Sequence, residues 1–323
     1  MRRATQRTAR ASAAASNPFA ALRNAIAGLT LGVCIGSVGT LLVVEEQEKR
    51  EPAVVPEIEI SKPGDVLRHE AIRYGLPSQS NVHVRSGYVV SYDYRTRNAA
   101  WVMEYLTPHS LQATDDTDRA KSSFHVDTTV PTPFRVHPNV FAKSGYDKGH
   151  LVPARDMAGS QTTMNESFLM TNISPQVGVG FNRSYWSRLE GFVRHLAYQY
   201  DGLYVVTGPL FLPKKSKKSG GMHVSYPVLG TPPDAIAVPT HFFKVLLAKR
   251  RDGSFLTAGF ILPNQAIPEK KQLGDFLTPL DVIEKYSGLL FFDKLEGVRT
   301  LELCKETACS LASANYQRAM KHK

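Results

Sequence analysis

Three apolar runs crowd into sixty residues of this chain and leave few folds open to it. LYVVTGPLFLP (203–213), AIAVPTHFFKVLLA (235–248) and SFLTAGFILP (254–263) are rich in β-branched and aromatic residues and are bounded by Gly, Pro, Asp and Ser. They read as strands, several of them too apolar for a sheet with one wet face, so they belong to the interior of a central sheet. VRSGYVVSYDYRTRNAAWVMEYLT (84–107) adds two strand-like runs separated by turn residues. Between these groups, RSYWSRLEGFVRHLAYQY (183–200) sets Tyr185, Leu189, Phe192, Val193, Leu196 and Tyr200 at helical spacing, which predicts a helix laid on the sheet by one stripe. PLDVIEKYSGLLFF (279–292) predicts a second helix ending near Gly288. No repeat or second linker interrupts residues 66–295. The expected class is α+β, a single domain with a mostly antiparallel sheet flanked by helices.

Charge is distributed unevenly. The 323 residues carry 39 Lys and Arg against 29 Asp and Glu, a formal +10, which favours polyanionic partners. Half of that excess sits in residues 1–44, which hold Arg2, Arg3, Arg7, Arg10 and Arg23 and no acid. Residues 1–24, rich in Arg, Ala and Ser, have the composition of a mitochondrial presequence. Residues 25–44 are uncharged for 20 positions, about 30 Å as a helix and enough to cross a membrane. Gly28, Gly32 and Gly36 lie on one face of that helix, a spacing that lets two copies approach closely. The alternative is a cleaved segment made less apolar by its glycines. Residues 45–65 read as a solvated linker and 296–323 as a C-terminal extension. A secretory address is the rival, because Asn165, Asn172 and Asn182 each head a glycosylation sequon. Three glycans in one short stretch that also looks functional would be poorly placed, so these sequons are read as incidental. Of three cysteines, Cys304 and Cys309 form CKETAC, whose spacing suits a small loop and leaves bridging open.

Chemistry concentrates in two places. SGYDKGHLVPARDM (144–157) puts Asp147, Lys148, Gly149 and His150 in a row. A histidine near its unperturbed pKa of about 6.5 is largely neutral at physiological pH and can act as a base, and Gly149 would let backbone approach a phosphate. The second is GFNRSYWSRLEGFVRH, where Asn182, Trp186, Glu190 and Arg194 recur every four residues along one helix flank. A carboxamide oxygen is a hard ligand suited to Mg2+, Glu190 could order the ion's waters, and Arg194 could pair with Glu190 or contact phosphate. The plain alternatives are an Asn helix cap and an ordinary i, i+4 ion pair. KKSKKSGG (214–221) is a basic loop that could touch phosphates or simply be solvated. No GxSxG, GxxxxGK[ST], HExxH or GxGxxG pattern occurs.

The order YDKGHLVPA, FLMTNISPQVGVGFNRSYWSRLE, VVTGPLFLP, AVPTHFFKVLL resembles the mitochondrial endonuclease G family of DNA/RNA non-specific nucleases, particularly its fungal members, over roughly residues 80–292. CKETAC looks like a fungal feature of the same family. The resemblance implies a ββα-metal fold, with His150 on the hairpin side and Asn182 opening the helix. It also implies a one-metal mechanism: His150 as general base, Asn182 as the protein ligand of Mg2+ (with Mn2+ as a plausible substitute), and 5′-phosphate and 3′-OH products. By the same matching, Glu190 organises metal waters, Gln176 and Asn172 support the metal or the scissile phosphate, Arg194 contacts phosphate, and Arg119 in TDRAKSSF supplies a further phosphate-binding guanidinium. DNA and RNA as substrates, a homodimer, and residence in the mitochondrial intermembrane space or at the inner membrane are implied likewise.

Two departures stand out. The family's Asp-Arg-Gly-His has Lys148 in the arginine's position, which keeps charge but loses a planar five-donor fork. Arg155 occupies a position where a small residue is usual, and could return a guanidinium nearby. Two rival readings follow: a catalytically impaired, nucleic-acid-binding relative with Lys148 as the mark of decay, and an inner-membrane interaction protein that reuses the fold.

Overall fold

The computed structural model describes residues 69–295, 298 and 300–311. The expected presequence, the apolar run 25–44 and the expected linker lie outside these residues; among the described residues no helix is long and apolar enough to cross a membrane.

Seven strands form the main sheet: β1 (Val82–Val84), β2 (Tyr88–Asp93), β3 (Asn98–Leu106), β6 (Gly202–Leu210), β11 (His241–Lys249), β12 (Phe255–Pro263) and β13 (Thr300–Glu302), in the order β1-β2-β3-β6-β11-β12-β13. Every neighbour pair is antiparallel except β12 and β13. Adjacent residues divide between two cores. Phe242, Leu246, Leu256 and Leu262 pack with Leu189, Phe192 and Leu196 on one side. Phe243, Val245, Tyr204 and Trp101 pack with Ile283, Leu289 and Phe291 on the other. Both faces are dry, which is why the strand sequences are apolar nearly throughout.

The helices are α1 (Gln161–Ser167), α2 (Ser187–Ala197), α3 (Leu280–Ser287) and α4 (Leu303–Glu306). α3 stops at Gly288, at φ 71°, where the sequence predicts. The helix expected over 183–200 is shorter. Its approach, Gly178–Trp186, is a widened π-type turn broken by extended Val179 and by Gly180 at φ 81°, and regular α-helix begins only at Ser187. The run 235–248 is likewise two strands, since Pro239 separates β10 (Asp234–Ala237) from β11, and β10 pairs with β9 (Val228–Thr231) instead. Residues 214–223 form a small hairpin, β7 (Lys214–Lys215) with β8 (Met222–His223). At the C-terminal side, β13 and α4 fold onto the sheet, and Cys304 is bonded to Cys309.

A separate two-stranded ribbon, β4 (Tyr146–His150) with β5 (Ile173–Val177), carries the first chemical motif to the edge of α2. Buried side-chain bonds fix it to the sheet. Ser174 Oγ donates to Asn98 Oδ1, and Asn264 donates through Nδ2 to the Pro175 carbonyl while its Oδ1 accepts from Val177 N.

Candidate active site

Strand alternation sorts the motif on β4 into two faces. Lys148 and His150 share one of them. The His150 ring stands edge-on to Phe168, centroids 4.7 Å apart, and tilted to Phe124 at 5.3 Å. Lys148 Nζ lies over the same Phe124 ring at 5.1 Å, and Arg119 lies over Phe168 at 5.5 Å. Two aromatic rings thus hold two cations beside the imidazole. Burial, and then the Arg119 charge, push the His150 pKa down to about 3, so the imidazole is neutral at physiological pH. Its Nε2 is buried and has no hydrogen-bond partner among the described residues. A neutral ring with an unsatisfied nitrogen can accept a hydrogen bond from water, as a general base must.

Asp147 and Gly149 face the other way. Asp147 Oδ2 accepts from Asn182 Nδ2 at 2.9 Å and from Arg183 Nε at 2.7 Å, and Oδ1 accepts from Arg183 Nη2. Asn182 therefore does not cap the helix. Its amide nitrogen is held by a carboxylate, which fixes the plane of the carboxamide and turns Oδ1 away from Asp147; no described residue hydrogen-bonds to that oxygen. The Arg183 hydrogen bonds keep Asp147 ionised, below the usual carboxylate range. The widened turn beneath Asn182 also changes the helical phase between it and α2, so the regular four-residue spacing of the sequence does not carry Asn182 onto the α2 face by ideal α geometry.

Gly149 makes room for a side chain of the opposing strand. It is buried, and a Cβ there would lie 2.2 Å from Gln176 Cδ. Gln176, fully buried on β5, lies across that glycine and leaves its Oε1 without a partner. Asn172 is fully buried too. Its Oδ1 accepts from Val152 N, and its Nδ2 donates to the carbonyls of Val152 and Ser167, at 2.8–2.9 Å. It clamps the chain just beyond His150, and a side chain so committed has no room for a glycan.

Below the ribbon lies a charged cluster. Arg194 is 7% exposed and turned inward to Asp156, Nη1 to Oδ1 at 2.7 Å, so its guanidinium is held in a buried pair where a surface phosphate contact is expected. Lys244 on β11 is buried, donates to Thr207 Oγ1 at 2.6 Å and lies over Trp186 at 5.1 Å. Glu104 on β3 is buried as well and, mainly through loss of solvent, is held well above the usual carboxylate range. Glu190 is half-buried. Desolvation pushes it up to about 7, against the pull of Lys244, Arg194 and Arg119 and reinforced by Asp156. Arg119 acts electrostatically on both His150 and Glu190, which brings the base and the helix carboxylate into one field. Arg155 is exposed in the turn Ala154–Met157 and makes no hydrogen bond or ion pair with the described residues. Its neighbour Asp156 does the pairing instead.

The residues gathered here and missed in the sequence are Arg183, Phe124, Phe168, Asp156, Glu104 and Lys244. Two of them carried a signal: Glu104 and Lys244 are lone charges inside apolar strand runs, where burial has to be compensated.

The chain is similar to known nucleases. A family described as DNA/RNA non-specific endonuclease matches residues 67–297. A nuclease of Syncephalastrum racemosum is 41% identical over 316 residues, covering 95% of this chain and 98% of that one. The mitochondrial nuclease of Saccharomyces cerevisiae is 39% identical over 76% of each chain. Human mitochondrial endonuclease G is 40% identical over 69% of this chain and 73% of its own. A solved chain from the EndoG/EndoGI complex superposes with a TM-score of 0.70 at 37% identity, covering 75% of this chain and 97% of that one.

Proposed function

The chain belongs to the DNA/RNA non-specific endonuclease family and is an endonuclease; from that premise we propose that it hydrolyses phosphodiester bonds in both DNA and RNA with one Mg2+ ion held by Asn182. The observation that carries this reading is the pairing of a neutral His150 on β4, its Nε2 buried and unpartnered among the described residues, with an Asn182 whose carboxamide is clamped by Asp147.

The donor set fits a hard ion. Asn182 offers an oxygen with its orientation already fixed, and Glu190 offers a carboxylate able to accept from the waters such an ion keeps. Mg2+ when bound supplies charge to neutralise the departing 3′ oxygen. His150 Nε2, unprotonated at physiological pH, takes a proton from the attacking water. Arg119 and Lys148, each seated on an aromatic ring, place positive charge beside the base for the phosphate oxygens. Asp147 and Arg183 keep Asn182 oriented, while the Asp156–Arg194 pair and Lys244 set the field around Glu190. Attack on phosphorus with departure of the 3′ oxygen leaves 5′-phosphate and 3′-OH ends.

In the same reading residues 1–24 are a presequence, 25–44 an apolar membrane anchor, 45–65 a linker, 66–295 the nuclease domain and 296–323 an extension. Relatives named as mitochondrial support a mitochondrial address, and the Cys304–Cys309 bond suits the more oxidising intermembrane space or the inner membrane facing it. The test is digestion of plasmid DNA and of RNA with Mg2+ or Mn2+, with end-group analysis of the products. Cleavage of both with 5′-phosphate ends is expected. Binding of nucleic acid without any cleavage would establish the impaired relative instead.

A further inference from the structure

We propose that the β7–β8 hairpin, residues 214–223, is a second phosphate-binding surface that grips a long nucleic acid away from the scissile bond; the inference rests on the nuclease reading above.

Four lysines, Lys214, Lys215, Lys217 and Lys218, project from this hairpin, and all are exposed. None of their ammonium groups has an ion pair or a hydrogen bond among the described residues. Three surface lysines elsewhere are paired by contrast, Lys249 with Asp201, Lys285 with Asp281 and Lys305 with Glu302. From Gly202 to Pro233 the chain has no acidic residue, so nothing local offsets the four charges. His223 lies opposite Lys214 in the register.

The hairpin is ordered rather than a slack loop. Ser216 N donates to the Gly221 carbonyl at 2.8 Å and Gly220 N to the Ser216 carbonyl at 3.0 Å, while Ser216 Oγ accepts from the backbone of Lys218 and Ser219. Phe211 and Tyr226, rings 4.8 Å apart, close its base.

Its root is coupled to the ribbon that bears His150. Leu212 N donates to Thr240 Oγ1, Asn264 N donates to the Thr240 carbonyl, and Asn264 in turn holds Pro175 and Val177 of β5. β5 pairs with β4 residue by residue, Lys148 opposite Pro175. A basic hairpin is thus tied through four hydrogen bonds to the strand pair carrying the base. A polyphosphate backbone matches unpaired, evenly spread lysines better than a single small anion does, since each neutralised phosphate releases counterions.

The test replaces Lys214, Lys215, Lys217 and Lys218 together by Gln in the full chain, with a control in which Lys249, Lys285 and Lys305 are replaced by Gln to lower net charge elsewhere. Cleavage of long duplex DNA and of a tetranucleotide is followed as salt rises, alongside direct binding of the duplex and of phosphatidylcholine–phosphatidylserine vesicles. The hairpin variant is expected to lose about tenfold or more in kcat/KM and in affinity for the long duplex, and its log–log salt slope to flatten by roughly 0.9 for each phosphate that the hairpin no longer neutralises. Its activity on the tetranucleotide should stay within about twofold of wild type, and the control should match wild type on both substrates. Equal loss on long and short substrates, an unchanged salt slope, equal loss in the control, or loss of vesicle binding with duplex binding intact would each overturn the proposal. If the wild-type chain cleaves nothing, the nuclease reading fails, but duplex binding by the two variants still decides the hairpin.

Discussion

Replacing Asp147 by Asn separates a positioning role from a structural one. The change keeps the side chain's volume, removes its charge and puts an amide nitrogen where one acceptor stood. Three hydrogen bonds converge on this carboxylate, one from Asn182 and two from Arg183. The Arg183 side chain is 65% exposed, so solvent screens that ion pair and it contributes little to folding. The bond to Asn182 matters differently, because it fixes which way the carboxamide oxygen points. Charge-assisted bonds of this kind are worth about 1.5–3 kcal/mol, and losing a partner that orients a metal ligand costs roughly 10–100-fold in activity or metal affinity. The expected result for Asp147→Asn is therefore a fall of about 10–100-fold in kcat/KM on plasmid DNA, a Mg2+ titration curve displaced to higher concentration, and a melting temperature lowered by no more than roughly 2–4 °C. Arg183→Lys, which keeps the charge but not the fork, should fall between wild type and Asp147→Asn. Wild-type kcat/KM with an unmoved Mg2+ curve would refute the clamp, and so would a large loss of stability that accounts for the loss of activity.

Three further outcomes follow from the same contacts. Gly149→Ala forces a Cβ against Gln176 and should destabilise the domain by about 1–3 kcal/mol in denaturant unfolding, with Gln176→Ala in the same chain recovering part of the loss. His150 is held neutral by burial, so the unfolded chain binds a proton there that the folded chain refuses. Stability tied to this group is complete above the unfolded pKa of about 6.5 and declines as pH falls from there toward about 3, by at most about 1.4 kcal/mol per pH unit. His150→Asn should flatten that decline, and parallel acid limbs of stability for variant and wild type would count against the burial. Reduction of Cys304–Cys309, which closes a very short loop, should cost about 2 kcal/mol by chain-entropy reasoning and leave kcat on nucleic acid unchanged, read by thermal melts and digestion with and without a reductant.

The sheet was legible because hydrophobic pattern and burial coincide. Phe242 and Phe243 enter opposite cores, and only a strand covered on both faces asks for two adjacent phenylalanines. His150 and Asn182 were legible as a pair of chemical groups, and Arg119 as a cation that belongs with them. The contacts that set their states were not, since they join residues distant in the chain: Asp147 meets Arg183 across 36 positions, and Asp156 meets Arg194 across 38. Helical periodicity assumes one phase from Asn182 to Arg194, and the π-type turn resets that phase before α2 begins. The packing at Gly149 is hidden for the same reason, because the side chain that fills the space of its missing Cβ comes from the opposing strand.

The central claim is that His150 is the base at this site, and digestion of supercoiled plasmid by wild-type chain and by His150→Ala, at matched Mg2+ and with the fold of each verified by circular dichroism, tests it most directly. The account predicts nicking and linearisation by wild type, abolished by chelation, and a fall of about 100–10,000-fold in rate for His150→Ala with plasmid binding retained. A folded His150→Ala chain that cleaves at the wild-type rate would contradict it.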